Sequence, residues 1–123
     1  TNSTLKRAAG TVTEGGTSAA EYDAIQFKKQ GNGDFSNIVI SGYTTTGATA
    51  VCIQDAATNT GQVDGHKIKL TNVKINDGIS QYAGATGITV LFADTDYTLS
   101  AEASGATITP GAWTIVEGIN LLN

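Results

Sequence analysis

Two short segments of the chain carry the same pattern, and that pattern limits the fold more than any other feature. Phe35-Ser36-Asn37-Ile38-Val39-Ile40-Ser41-Gly42 matches Leu70-Thr71-Asn72-Val73-Lys74-Ile75-Asn76-Asp77-Gly78 as an apolar residue, Ser or Thr, Asn, an aliphatic, any residue, Ile, and a Gly turn. Both are rich in β-branched residues, so both read as strands. Strict alternation from Phe35 carries Asn37 and Val39 onto its face, yet Ile38 and Ile40 are the better core pair. The phase slips by one residue at Asn37, and the second copy slips at Asn72, with Leu70 before it and Val73 and Ile75 after. A bend at each Asn restores the phase, because Asn is one of the few residues that tolerates the left-handed backbone region. Stacked copies place one amide over the next, and an Asn ladder then satisfies groups that burial would orphan. Asn37 and Asn72 are therefore expected as structural corners of an all-β chain, a short parallel β-helix (solenoid) whose two copies lie about one coil apart. The alternative is an antiparallel β-sandwich in which two edge-strand turns look alike.

Composition agrees with a β-rich reading. In 123 residues there are 15 Gly and one Pro, with 40% apolar and 15% charged residues. That is too apolar for a disordered chain and too Gly-rich for a coiled coil or helix bundle. The length suits a single domain, 1–123. A weaker series, Ala24-Ile25-Gln26-Phe27, Ala50-Val51-Cys52-Ile53 and Ile88-Thr89-Val90-Leu91-Phe92, supplies further strand-length runs. Turns are expected at Gln30 to Asp34, Thr46-Gly47, Asn59-Thr60-Gly61 and Asn76-Asp77-Gly78. The best helical window is Ser18 to Lys29, with Ser18 as N-cap and Glu21 three residues on, although Tyr22, Ile25 and Phe27 read equally well as an extended edge. Coils are expected over about 20–97. Residues 98–123, where Leu99, Ala101 and Ala103 alternate before turns at Ser104-Gly105 and Pro110-Gly111, are expected as a β-rich C-terminal cap or flanking strands.

Net charge is −4 and the isoelectric point about 4.6, a surface that repels phosphate backbones and anionic lipid. Nucleic acid is not an expected partner. No run reaches the 18 or so apolar residues of a membrane span, and Thr1 to Gly10 lacks the charged-then-apolar pattern of a signal, so the chain reads as soluble and as a mature protein or excised piece. Cys52 is alone and closes no intrachain disulfide. Abundant Thr, Asn, Gly and Ser, with no Met, suggest a secreted bacterial surface protein.

The run Gly33 to Tyr43, then Ala50-Val51-Cys52-Ile53-Gln54-Asp55 and Lys69 to Ile75, resembles the C-terminal coils of secreted right-handed parallel β-helix surface proteins of Bacteroidota. The resemblance spans about residues 20–80 and rests on structural motifs. It implies a right-handed helix of pectate-lyase type without an established lyase site, an extracellular or cell-surface location, and about three coils. Such proteins are usually several times longer, so the ends of so short a stack need a cap, a neighbouring subunit or further sequence to cover them.

Chemistry-bearing residues are sparse. His66 is the only histidine, and a Ser-His-Asp system would need it, with Asp64 nearby and a distant nucleophile; a solvated turn histidine is the simpler reading. Cys52 lies in an apolar run and reads as a small core residue. Asp94-Thr95-Asp96 places two carboxylates on one face of a strand, candidates for Ca²⁺ if a third oxygen, for example from Asp77, converges, or for polysaccharide chemistry. No Gly cluster matches a phosphate loop. Lys67, Lys69 and Lys74 form an outward stripe. Paired Thr hydroxyls, among them Thr44-Thr45-Thr46, are too irregular for an ice-binding array. Tyr43, Tyr82, Tyr97 and Trp113 are candidates for sugar stacking, with Tyr82 and Trp113 carried forward as ligand-binding residues.

The expected function is a non-catalytic structural or adhesive module outside the cell, whose partner is a surface protein, a glycan or copies of itself. A self-assembling filament subunit is the first alternative. A polysaccharide lyase or hydrolase using Asp94 and Asp96 is the second. No cofactor beyond Ca²⁺ is expected.

Overall fold

The computed structural model of the chain describes residues 2–6 and 23–106, together with the backbone of 115–116 and 119–120. Strands β1 (Ser3–Lys6), β2 (Ile25–Phe27), β3 (Gly33–Ser41) and β4 (Thr49–Ile53) precede a helical stretch, α1 (Ala56–Thr58), which runs into a π-helical turn at Asn59–Val63. Strands β5 (Ile68–Ile75), β6 (Ser80–Gly84) and β7 (Tyr97–Leu99) follow, and then β8 (Ile115–Val116) and β9 (Ile119–Asn120). The strands sort alternately into two sheets, one ordered β1-β3-β5-β7 and the other β2-β4-β6. Every pairing in both sheets is parallel, so the antiparallel sandwich is excluded for them; among the described residues only β8 and β9 pair antiparallel. The fold is all-β with parallel sheets and little helix.

The two matched segments lie side by side in the register of their sequence alignment: Phe35 opposite Leu70, Ile38 opposite Val73, Ile40 opposite Ile75. β1 extends the set, with Leu5 opposite Ile40. Parallel in-register pairing stacks like on like, and the result is continuous apolar columns such as Leu5–Ile40–Ile75 and Ile38–Val73–Leu99. Ile38, Ile40, Ile68, Leu70 and Val73 cluster with Phe27, Ala50, Val51 and Ile53 of the other sheet, and Val63, Phe92 and Tyr97 complete the core. Each fully buried aliphatic side chain contributes about 1.5–3 kcal/mol. Leu99 ends its column and is 51% exposed.

Several local expectations give way to tertiary structure. At Ile25–Phe27 the strand-length run prevails over the helical window, as a strand paired with β4, and Ser18 to Tyr22 lie outside the described residues. The helix lies instead at Ala56–Val63, where Asn59-Thr60-Gly61 was expected to turn. Asp55 starts it as N-cap, accepting from Thr58 N–H at 2.8 Å, a cap that satisfies one of the helix's free amides. The same carboxylate accepts Lys29 N–H at 2.7 Å, and Thr58 Oγ1 accepts Gln30 N–H at 2.8 Å. The helical turn thus closes the bend before β3, where Lys29 and Gln30 both have positive φ.

Ile88–Phe92 has the burial alternation of a strand but no ladder partner; Leu91 is 76% exposed, and β6 occupies the place beside β4. Gly84 permits this, since a side chain there would collide with Ile88 O. The first sheet begins before residue 20 and extends past residue 97, because β1 and β7 are its outer strands. Replacing Ile40 by Ala is expected to lower unfolding free energy by about 2–5 kcal/mol, measured as a shifted urea midpoint at unchanged slope. Exposed Leu91→Ala in the same assay is expected to change it by about 0.5 kcal/mol at most.

Candidate functional site

Asn37 and Asn72 both adopt left-handed backbone geometry, with φ of +54° and +56°. At these bends the inward phase passes from Leu70 to Val73 in β5, and to Ile38 and Ile40 in β3. Their amides form a chain of hydrogen bonds: Asn72 Nδ2 donates to Asn37 Oδ1 at 3.2 Å, and Asn37 Nδ2 to Asn2 Oδ1 at 3.0 Å. Asn2 stands outside the two matched segments of the sequence. Its signal is the interval, 35 residues from Asn37 as Asn37 is 35 from Asn72. Asn72 N–H donates to Thr98 Oγ1 at 2.8 Å, so a hydroxyl succeeds the amide on the β7 side.

Residues Ser104–Ala106 lie along this corner as a strap. Ser104 N–H donates to Asn37 Oδ1 at 2.8 Å, Asn37 Nδ2 reaches Ser104 Oγ at 3.1 Å, and Ala106 N–H donates to Thr4 Oγ1 at 3.0 Å. Gly105 has φ +67° and lies so close to Thr4 and Val39 that a Cβ has no space. Asn37 is therefore the hub joining β1, β3, β5 and the strap. Asn37→Ala removes its amide and leaves in the left-handed region a residue without the short polar side chain that eases that conformation. The orphaned partners cost about 1–3 kcal/mol and the backbone up to a further 1 or so. Asn37→Gly relieves only the backbone part, so denaturant titration is expected to rank native above Gly above Ala.

His66 sits in the turn before β5 with φ +56°. Its imidazole is 62% exposed, yet Nδ1 lies 2.5 Å from Oδ2 of Asp96, which is 2% exposed. His66 is thus a turn histidine with a carboxylate partner 30 residues away rather than a purely solvated one. Asp94 to Asp96 form a turn rather than a strand, with Asp94 exposed and Asp96 buried toward His66, so the two carboxylates have different surroundings. Among the described residues no three His, Cys, Asp or Glu side chains group as metal ligands. The imidazole hydrogen bond holds the Asp96 carboxyl below its ordinary 3.8, against the opposing effect of burial. The native state then binds fewer protons than the unfolded chain as the pH falls through this range. The contribution is complete above 3.8 and is lost as the pH falls through the lowered native value. Urea titrations between pH 6 and pH 2 are expected to show a smaller acid loss of stability in Asp96→Asn than in the native chain.

Tyr82 is half-buried in an aromatic trio, its ring 5.0 Å from Phe92 and 5.1 Å from Tyr97, so it packs the interior rather than presenting a free face. Tyr97 donates its hydroxyl to Gln81 O, and burial, then the neighbouring Tyr82, pushes its phenol up to about 12. Trp113 lies outside the described residues. Cys52 is buried, but it stacks between Gln26 and Ala83 on the opposite side of β4 from Val51 and Ile53. Burial and the nearby Asp23 push its thiol up to about 11. At pH 8 about a thousandth is thiolate, so alkylation by iodoacetamide is expected to be far slower in the native chain than in urea.

Two clefts flank the turn between β3 and β4. One, about 470 Å³, lies between Tyr43–Ala48 and Asp77–Ser80; the other, about 340 Å³, holds Asp23, Thr49, Cys52 and Gln54. Among the described residues no helix is long and apolar enough to cross a membrane. No protein-family model, curated protein or solved structure matches the chain.

Proposed function

We propose that the chain is a short right-handed parallel β-helix that serves as a non-catalytic structural or adhesive module of a secreted bacterial surface protein. The hydrogen-bonded series Asn2–Asn37–Asn72, at equal 35-residue intervals, carries this reading. A repeat of constant length with a polar corner and an apolar interior is what a stack of coils requires, and strands that alternate between two parallel sheets accord with it. The resemblance to Bacteroidota surface β-helices rests on Gly33 to Tyr43, Ala50 to Asp55 and Lys69 to Ile75, and two of these segments contain the corners Asn37 and Asn72. The separate surroundings of Asp94 and Asp96 weigh against a paired acid and base at that turn.

Antibodies raised against the recombinant chain are expected to label intact cells of its source, with the signal removed by external protease. Labelling that appears only after lysis contradicts the surface assignment. Release of reducing or unsaturated ends from a polysaccharide panel by the unaltered chain contradicts the non-catalytic one.

A second reading, a filament subunit adding copies of itself head to tail, is favoured by the outer strands. Among the described residues β1 and β2 at one side, and β7 and β6 at the other, each pair on one edge only, and Leu99 is exposed beside β5. Filaments in negative-stain micrographs at high concentration support it; a monodisperse monomer by light scattering removes it.

A further inference from the structure

The two clefts share Thr46 and Gly47 as a common wall. Gly47 has φ +87°, and no described residue lies within 4 Å of where its side chain would project, so among the described residues the ridge between the clefts is low and open. A ligand longer than one cleft can cross it.

The linings select the ligand's chemistry. Among the described residues neither cleft is lined by Lys, Arg or His, and each contains one carboxylate, Asp77 in the first and Asp23 in the second. On a chain of net charge −4, that disfavours phosphates, nucleotides and acidic sugars. Hydroxyls and amides, including Thr44, Thr45, Ser80 and Gln54, disfavour a lipid or other apolar ligand. The acceptors are held in place. Asp77 Oδ2 takes Tyr43 N–H at 3.1 Å, tying the β5–β6 connection to the β3–β4 connection across the first cleft. Asp23 Oδ1 takes both the N–H and the hydroxyl of Thr49 at 2.8 Å. Tyr43 adds a half-buried ring to the first cleft. Fixed carboxylates beside neutral hydroxyls and one aromatic ring suit a polyol with a C–H face.

We propose that the paired clefts bind a neutral oligosaccharide, with one sugar beside Tyr43 and Asp77, a second beyond Gly47 near Gln54, and Asp77 accepting a sugar hydroxyl. This inference rests on the adhesive reading and names its ligand class. The test is a titration of the ¹⁵N-labelled full chain with neutral cello-, xylo-, manno- and malto-oligosaccharides of one to four sugars, and with tri-galacturonate as the acidic control. At least one neutral series is expected to shift amides of Thr44–Gly47, Asp77–Ser80 and Thr86. Affinity is expected to rise about tenfold from one sugar to two or three, as the second cleft fills. Asp77→Asn keeps an acceptor for Tyr43 N–H, and Thr46→Ala alters an exposed side chain; each is expected to weaken binding about tenfold or somewhat less with a native-like spectrum. The proposal is overturned if no neutral sugar shifts these amides at about 20 mM, if both variants bind as the native chain does, or if the acidic control binds as well. A folded spectrum without sugar shifts overturns this site alone, whereas the surface reading fails separately, in the labelling of intact cells.

Discussion

A side-chain amide at a left-handed bend holds the parallel strands of this chain in phase. In an extended chain successive side chains point to opposite faces, so a strand can keep Leu70, Val73 and Ile75 on one interior only if its phase is reset between residues 70 and 73. Asn72 provides that reset through its positive φ, and Asn37 does the same one strand earlier. Both leave a polar side chain at the bend. Parallel register sets those side chains one above another, so each amide meets another amide. One residue type thereby settles the local backbone, the direction of the apolar face and the polar accounting at the corner. The strap adds to this, because Ser104 and Gly105 bring further donors and acceptors to Asn37 and tie the chain beyond β7 to β1.

What could be read from the sequence and what could not divide along the same physical line. Asn37 and Asn72 are visible because the residues around them are apolar on both sides, so a phase slip shows as a pattern. Asn2 is followed by Ser3 and Thr4, and only Leu5 repeats the aliphatic seen at Ile40 and Ile75; the spacing alone marks it. The cap at Asp55 is local, but its cluster with Thr58, Lys29 and Gln30 joins positions 26 and 28 residues apart, which no window reveals. Ile88–Phe92 shows the complementary failure: the alternation is local and genuine, whereas a strand also needs a partner edge, and β6 already holds it.

The candidate sites follow from stacking as well. His66 and Asp96 stand 30 residues apart and meet because the turns before β5 and β7 lie beside each other; separately they look like a solvated histidine and an acidic turn. The clefts arise where the connections after β3 and β5 run side by side and Asp77 bonds across to Tyr43. In each case parallel stacking brings corresponding turns of successive strands together, and polar residues that are unremarkable in sequence become paired groups. The buried columns supply the stability, and the loops beside them are free to vary in chemistry.

Long-range nuclear Overhauser contacts in the ¹³C,¹⁵N-labelled chain would reveal whether the three amides lie in series. Cross-peaks linking the side-chain amide protons of Asn2, Asn37 and Asn72 in series are expected, with parallel contacts between Ile38 and Val73. Strong Hα–Hα cross-peaks between the two segments, as an antiparallel ladder gives, together with no contact between the Asn37 and Asn72 amides, would contradict that arrangement.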